Sequence, residues 1–189
     1  IDEFNHYAKR GTDALSKFLH AEYDSFTPAQ KAELSFASQG VTLGDARLTG
    51  SLDLVDINDN HIFVTDYKTG KPSTSWTGRG DYEKIKLHKY RQQLMFYQLL
   101  CQHSRDYAGY EFDGAILQFV EPDSHGDIHS LDQTFSAEEL AQFTTLIAAV
   151  WRCITTLELP DASDYSADYK GMLQFEKDLI AGTKTSAQN

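Results

Sequence analysis

Ser51-Leu52-Asp53-Leu54-Val55-Asp56-Ile57-Asn58-Asp59-Asn60-His61-Ile62-Phe63-Val64-Thr65-Asp66-Tyr67-Lys68 decides the fold. Two runs rich in Leu, Val, Ile, Phe and Thr flank Asn58-Asp59-Asn60, whose short polar side chains tolerate left-handed backbone. The stretch therefore reads as an antiparallel hairpin. With a two-residue turn centred on Asp59-Asn60, the residue facing Asp53 is Asp66, and opposed Cβ atoms stand about 4.5–5.5 Å apart. Lys68 lies two residues beyond Asp66, hence on the same face of the sheet. Two carboxylates that close repel unless positive charge lies between them.

Local hydrophobic patterning gives these three residues little packing reason to converge. Carboxylate oxygens are hard ligands, so the arrangement suits Mg²⁺ or Mn²⁺. Asp53 and Asp66 would hold the ion, helped by the backbone carbonyl of Tyr67. Such an ion polarises a phosphate and lowers the pKa of a bound water, and Lys68 would orient that water or stabilise charge on phosphorus. The chemistry open to the hairpin is phosphodiester hydrolysis. An ordinary surface Asp–Lys pair is the plainer alternative, because Asp-x-Lys alone is common.

Outward from the hairpin, the pattern is helical over residues 4–23, with Leu15, Phe18 and Leu19 on one side. Residues 33–39, 46–57 and 61–69 read as three strands. A loop with an exposed Trp76 leads into a helix over 86–104. Residues 112–121 and 127–135 read as a strand and its hairpin partner. Ser136-Ala137-Glu138-Glu139 is a capping box that starts the next helix, which Pro160 stops. Its stripe of Leu140, Phe143, Ile147, Val150, Trp151, Ile154 and Leu157 is expected in the core. A short helix near 170–181 precedes a polar tail. The order αβββαβ gives an α/β fold, a mixed central sheet flanked by helices, in one domain over 1–182 with a tail over 183–189.

The chain has 189 residues and a mass of 21.3 kDa, with 41% hydrophobic and 12% aromatic residues, enough for a buried core. No run approaches 18 apolar residues and no charged-then-apolar leader opens the sequence, so neither a membrane span nor a secretory signal is expected, and a cytoplasmic location is the expectation. The chain opens on Ile1, as a piece of something longer would. Cys101 and Cys153 cannot build a disulfide scaffold or a four-cysteine metal site, and both sit in apolar helical patterns as buried thiols. The net charge of −11 argues against binding nucleic acid with the whole surface. Between Lys68 and Arg91, however, seven basic residues meet two acidic ones. That strip, with Lys71, Lys89 and Arg91, can attract phosphate locally, because charges beyond about 8–10 Å are screened. Trp76 and Tyr82 stand ready for base stacking.

Gly50-Ser51-Leu52-Asp53, Thr65-Asp66-Tyr67-Lys68-Thr69-Gly70-Lys71 and Gln93-Leu94-Met95-Phe96-Tyr97 resemble, in order, the G-x-x-D, D-x-K-T-G and Q-x-x-x-Y motifs of the RecB-like branch of the PD-(D/E)xK nuclease superfamily. The chain is in particular similar to the nuclease domain at the C-terminus of bacterial UvrD-like helicases. The resemblance implies a restriction-endonuclease-like core and DNA as substrate. It also implies a helicase motor as partner in DNA repair or recombination, and Mg²⁺ or Mn²⁺ at the site. Asp53 and Asp66 match the family's metal ligands and Lys68 its catalytic lysine. Gln93 and Tyr97, four apart on one helix face, match a pair that contacts DNA near the site. Glu33 stands where members often carry a glutamate. The four-cysteine iron–sulfur clasp of many relatives is ruled out by two cysteines. No G-x-x-x-x-G-K-[ST] loop occurs, so this chain is not itself the ATP-driven motor.

One departure stands out. Members usually complete the metal site with a histidine four residues after a glycine on the helix before the sheet, whereas Gly11 is followed at that spacing by Leu15. His6 and His20 have the wrong spacing. Either that helix lies upstream of Ile1 or the site is degenerate. In the degenerate case the chain is an inactive nuclease-like module that docks DNA or a helicase domain.

Overall fold

The computed structural model describes residues 2–158 and 160–186. The chain forms, in order, α1 (Asp2–Glu22), a short 3₁₀ turn (Tyr23–Ser25), β1 (Lys31–Ser35), β2 (Thr42–Leu43), β3 (Ala46–Arg47), β4 (Ser51–Asn58), β5 (His61–Lys68), α2 (Asp81–Gln102), β6 (Glu111–Phe119), β7 (Ser130–Gln133), α3 (Ala137–Thr156) and α4 (Tyr169–Ser186). These elements fall into two compact units.

The first unit holds α1 and a five-stranded sheet in the order β1-β4-β5-β6-β7. The β4–β5 pair is antiparallel with Asn58 opposite His61, so Asp59-Asn60 is the turn and Asp59 takes the left-handed conformation. β5 and β6 run parallel, and β6 and β7 antiparallel, which makes the sheet mixed. β6 is the most apolar strand, with Ala115, Leu117 and Phe119 buried, as a strand with a neighbour on each side should be. The register slips by one residue between Ile62 and Phe63, opposite Asp113-Gly114, where Gly114 has φ of 150°. α1 contributes Ala14 and Phe18 to the core, and the Phe18 ring meets the edge of Tyr67 with centroids 5.8 Å apart.

The second unit holds the β2–β3 pair and helices α2, α3 and α4. α2 starts at Asp81, five residues before the predicted 86. Gly80 is its N-cap, Asp81 and Glu83 place negative charge in the first turn, and Glu83 accepts a hydrogen bond from the Arg79 amide at 2.8 Å. The α3 capping box forms as expected, Ser136 Oγ accepting from Glu139 N at 3.2 Å and Glu139 Oε2 from Ser136 N at 2.9 Å. α3 ends at Thr156, and Leu157 takes the left-handed conformation three residues ahead of Pro160. His88 Nε2 reaches both oxygens of Glu176, and Gln92 donates to the same carboxylate at 2.9 Å, which ties α4 to α2.

Several local expectations need correction. The predicted strand over 33–39 is β1, which begins two residues earlier and ends at Ser35. The strand predicted over 46–57 is two pieces, β3 and β4, parted at Leu48-Thr49-Gly50, where Leu48 N bonds back to Val41 O. The apolar stripe of α3 is only partly covered. Val150, Ile154 and Leu157 are exposed, and the half-buried Trp151 lines an apolar groove of about 540 Å³ with Phe96, Phe143, Met172 and Phe175. Trp76 is half-buried rather than exposed: its indole N–H donates to the Asp132 carbonyl on β7 at 2.9 Å. Tyr82 is 84% exposed. α4 extends to Ser186, into the predicted tail, and residues 187–189 lie outside the described residues. Cys101 and Cys153 are free and buried, and burial pushes the Cys101 thiol up to about 12. No described helix is long and apolar enough to cross a membrane.

Candidate active site

β5 alternates buried and half-buried residues, and its buried row runs Ile62, Val64, Asp66. An aspartate that continues an apolar row is costly unless it is paired. Asp66 is 1% exposed, and the Lys68 ammonium lies 2.5 Å from its Oδ2. The Lys68 side chain is itself only 15% exposed. Asp and Lys two apart on a strand thus form a largely buried ion pair on one face.

Asp53 joins them from β4. The ladder pairs Leu54 with Thr65, and one step further along the same register come Asp53 and Asp66. There the backbone ladder gives way to a side chain: Asp53 Oδ2 accepts from the Tyr67 amide at 2.9 Å. A carboxylate in place of a carbonyl at this point holds Asp53 beside the Asp-x-Lys segment by its own hydrogen bond. Tyr67 is half-buried, and its phenol pKa is raised by burial first, then by the charges of Glu22 and Asp53. The phenol therefore stays neutral across the physiological range.

The segment beyond Lys68 is held by β6 and the two residues after that strand. Val120 N donates to Lys68 O at 2.9 Å, and Gly70 N donates to Glu121 Oε1 at 2.7 Å. Glu121 Oε2 in turn accepts from Arg10 of α1, from Nε at 3.0 Å and from Nη2 at 2.5 Å. Arg10 and the Gly70 amide hold the Glu121 carboxyl below its usual range, the Arg10 hydrogen bond being the larger cause. Gly70 has φ of 91°, which glycine adopts readily and other residues rarely do. The sequence alone did not single out Arg10 or Glu121; the one available signal was an acid closing an otherwise apolar strand.

Asp53, Asp66, Tyr67 and Lys68 come together in the first unit, with exposed Lys71 three residues on. Gln93, Tyr97, Lys89 and Arg91 all lie on α2 in the second unit. Gln93 Nε2 donates to the Tyr97 hydroxyl at 2.6 Å, and Tyr97 is 6% exposed. Arg91 is engaged by Glu139 at 2.6 Å and lies over the Phe135 ring, whereas Lys89 is exposed. Gly50, the first residue of the G-x-x-D run, packs against α2: a Cβ built there would lie 3.0 Å from Leu100 Cδ1.

Among the described residues no group of three His, Cys, Asp or Glu side chains stands close enough to hold a metal ion, so Glu33 does not join Asp53 and Asp66. Glu33 is exposed, with a positive φ of 51°. α1, the helix ahead of the sheet, carries Leu15, which is 54% exposed. The remaining donor set still fits a hard divalent cation. Two carboxylates against one ammonium leave a net negative charge, and Mg²⁺ is commonly bound by one or two carboxylates with waters and phosphate completing its shell.

A family model of the PD-(D/E)XK nuclease superfamily matches residues 2–168. The chain belongs to that superfamily. Within it, this PD-(D/E)XK chain is similar to the RecBCD enzyme subunit RecB of Buchnera aphidicola subsp. Baizongia pistaciae (strain Bp), with 30% identity over 109 residues. That match covers 50% of the chain and 9% of the relative, so the PD-(D/E)XK chain corresponds to a small part of RecB. A solved structure titled "Crystal structure of SSO0001" aligns over 77% of this chain and 65% of its own, at 15% identity and a TM-score of 0.39, too low a likeness to add to the assignment.

Proposed function

We propose that the chain is a Mg²⁺- or Mn²⁺-dependent deoxyribonuclease that hydrolyses phosphodiester bonds. The observation that carries this reading is the Asp66–Lys68 pair, buried at the end of β5 beside Asp53. Burying two charges costs several kcal/mol per ion before their attraction is counted, and well-packed apolar residues in their place are often no worse for stability. A fold that keeps them there has a use for them.

Asp53 and Asp66 would hold the divalent ion, with the Tyr67 carbonyl as a further oxygen donor. When bound, that ion polarises a phosphoryl oxygen and lowers the pKa of a coordinated water. Lys68 holds the Asp66 carboxylate in place and brings its ammonium to meet the charge developing on the phosphate oxygens. The Tyr67 amide fixes the Asp53 carboxylate, so neither acid must reorganise when substrate arrives. Gln93 with Tyr97 are the DNA contacts the motif resemblance implies, and Lys71, Lys89 and Arg91 those the local basic strip implies. Of these, Lys71 and Lys89 are exposed. The similar protein from Buchnera is a subunit of RecBCD enzyme, which supports a helicase motor as partner and a role in DNA repair or recombination. That the chain serves as the C-terminal nuclease domain of a UvrD-like helicase, as the motif resemblance implies, is part of the same proposal.

A second reading, an inactive nuclease-like module that docks DNA or a helicase domain, draws on Leu15 and on the lack of a third metal-ligating side chain among the described residues. Incubating single- and double-stranded DNA with the protein in Mg²⁺, in Mn²⁺ and in chelator separates the two. The nuclease reading expects divalent-dependent cleavage that Asp66→Ala and Lys68→Ala each reduce by at least about 100-fold, the scale on which lost electrostatic stabilisation shows. DNA binding without cleavage under every condition would select the docking reading, and unchanged cleavage in both variants would overturn the catalytic assignment.

A further inference from the structure

We infer that Glu121 is a positioning residue for the Asp66-Tyr67-Lys68 segment, acting through the Gly70 amide and braced by Arg10. The inference rests on the nuclease reading for what is positioned, but not for the geometry that does it.

Past Lys68 the β5–β6 pairing ends, and the chain must turn at Gly70 with a left-handed φ of 91°. Two hydrogen bonds tie this stretch to the neighbouring strand end: Val120 N to Lys68 O at 2.9 Å, and Gly70 N to Glu121 Oε1 at 2.7 Å. The first fixes the Lys68 carbonyl. The second fixes the chain two residues on, and between them they set the direction in which the lysine leaves the strand. A misplacement of about 1 Å at a reacting group can cost on the order of 100-fold in rate, so the anchor is placed where small shifts matter.

Glu121 is itself oriented. Its second oxygen accepts from both Nε and Nη2 of Arg10, so with Oε1 on the Gly70 amide both carboxylate oxygens are held. Arg10 rides on α1, which meets the same segment a second time where Phe18 packs on Tyr67. Clefts of about 330 Å³ and 320 Å³, both lined by Arg10 and Glu121, open beside the bridge, so it stands between open spaces. α1 therefore reaches the Asp-x-Lys segment through one packed ring and one charged relay.

Amide hydrogen exchange of the peptide spanning residues 66–71, read beside kcat and KM, tests this in the intact protein. Glu121→Ala should speed exchange in 66–71 by about 10-fold or more while the peptide over 54–57 keeps its protection, because the loss is local. It should lower kcat by about 10-fold or more with KM within about 2-fold, the signature of a group that positions without touching substrate. Glu121→Gln keeps an oxygen for Gly70 and should restore most of both. Arg10→Met, which leaves that oxygen in place but unbraced, should fall between. If Glu121→Ala unfolds the whole sheet, the Arg10→Met exchange decides. Unchanged exchange at 66–71 in Glu121→Ala and Arg10→Met would overturn the inference, as would a raised KM at constant kcat. A wild-type protein that cuts no DNA defeats the nuclease reading instead, and the exchange measurement then still decides whether Glu121 holds the segment.

Discussion

Replacing Asp66 by asparagine removes one charge and almost no volume, and its cost follows from the burial of the pair. At 2.5 Å, and with an effective dielectric of about 20, the Asp66–Lys68 attraction is about 7 kcal/mol. Desolvation of two nearly buried ions offsets most of this, so the intact pair is close to neutral for stability. Asp66→Asn takes away the carboxylate that faces an ammonium only 15% exposed. Breaking a buried pair in this way typically costs about 3–5 kcal/mol. For a chain of this size, about 2–4 °C in Tm accompanies each kcal/mol, so Asp66→Asn should lower Tm by about 6–20 °C. Lys68→Met should cost a similar amount. The double variant Asp66→Asn/Lys68→Met should recover most of the loss, because neither ion of the pair remains buried. Thermal unfolding of the four proteins at one pH and ionic strength, analysed as a double-mutant cycle, measures the coupling. Single losses that simply add in the double variant would refute the claim that these two residues form a buried pair.

Three further outcomes are expected. Phe18→Ala deletes a ring that is 5% exposed and packs on Tyr67, and should destabilise by about 3–5 kcal/mol in denaturant titration, among the largest single losses on α1. The Glu121 carboxyl is held below its ordinary value of 4.5, so its ionised form stabilises the folded state above that value. This stabilisation is lost as pH falls through the lower folded-state value, and Glu121→Gln should flatten the acid side of the stability profile below about pH 4.5 while leaving its slope near pH 7 unchanged. Calorimetry without DNA should give a Mg²⁺ dissociation constant in the millimolar range, about −4 kcal/mol of binding free energy, because only two carboxylates contribute; a micromolar constant would contradict a two-carboxylate site.

How much of this could be read from the chain depended on distance along it. The β4–β5 register was legible because Asn58-Asp59-Asn60 admits few turns, and the register in turn set Asp53 against Asp66. The α3 start was legible because Ser136 and Glu139 satisfy each other locally. Periodicity in Leu140–Leu157 fixed a helix but not its cover, since an apolar stripe records a need for burial without saying how completely it is met. Trp76 looked exposed because its partner, the Asp132 carbonyl, lies 56 residues away. Glu121 was hidden for the same reason: its two contacts, Gly70 and Arg10, are 51 and 111 residues distant. The ion pair itself was half legible. Spacing placed Lys68 on the face of Asp66, but only the sheet shows that the face is buried and that Asp53 is held there by the Tyr67 amide.

Diffraction from crystals soaked in Mn²⁺, recorded at the manganese absorption edge, tests the central claim most directly. The expected result is an anomalous peak bonded to the carboxylates of both Asp53 and Asp66, lost in Asp66→Asn. A Mn²⁺ peak elsewhere, or none between those two side chains at a concentration that supports DNA cleavage, would contradict it.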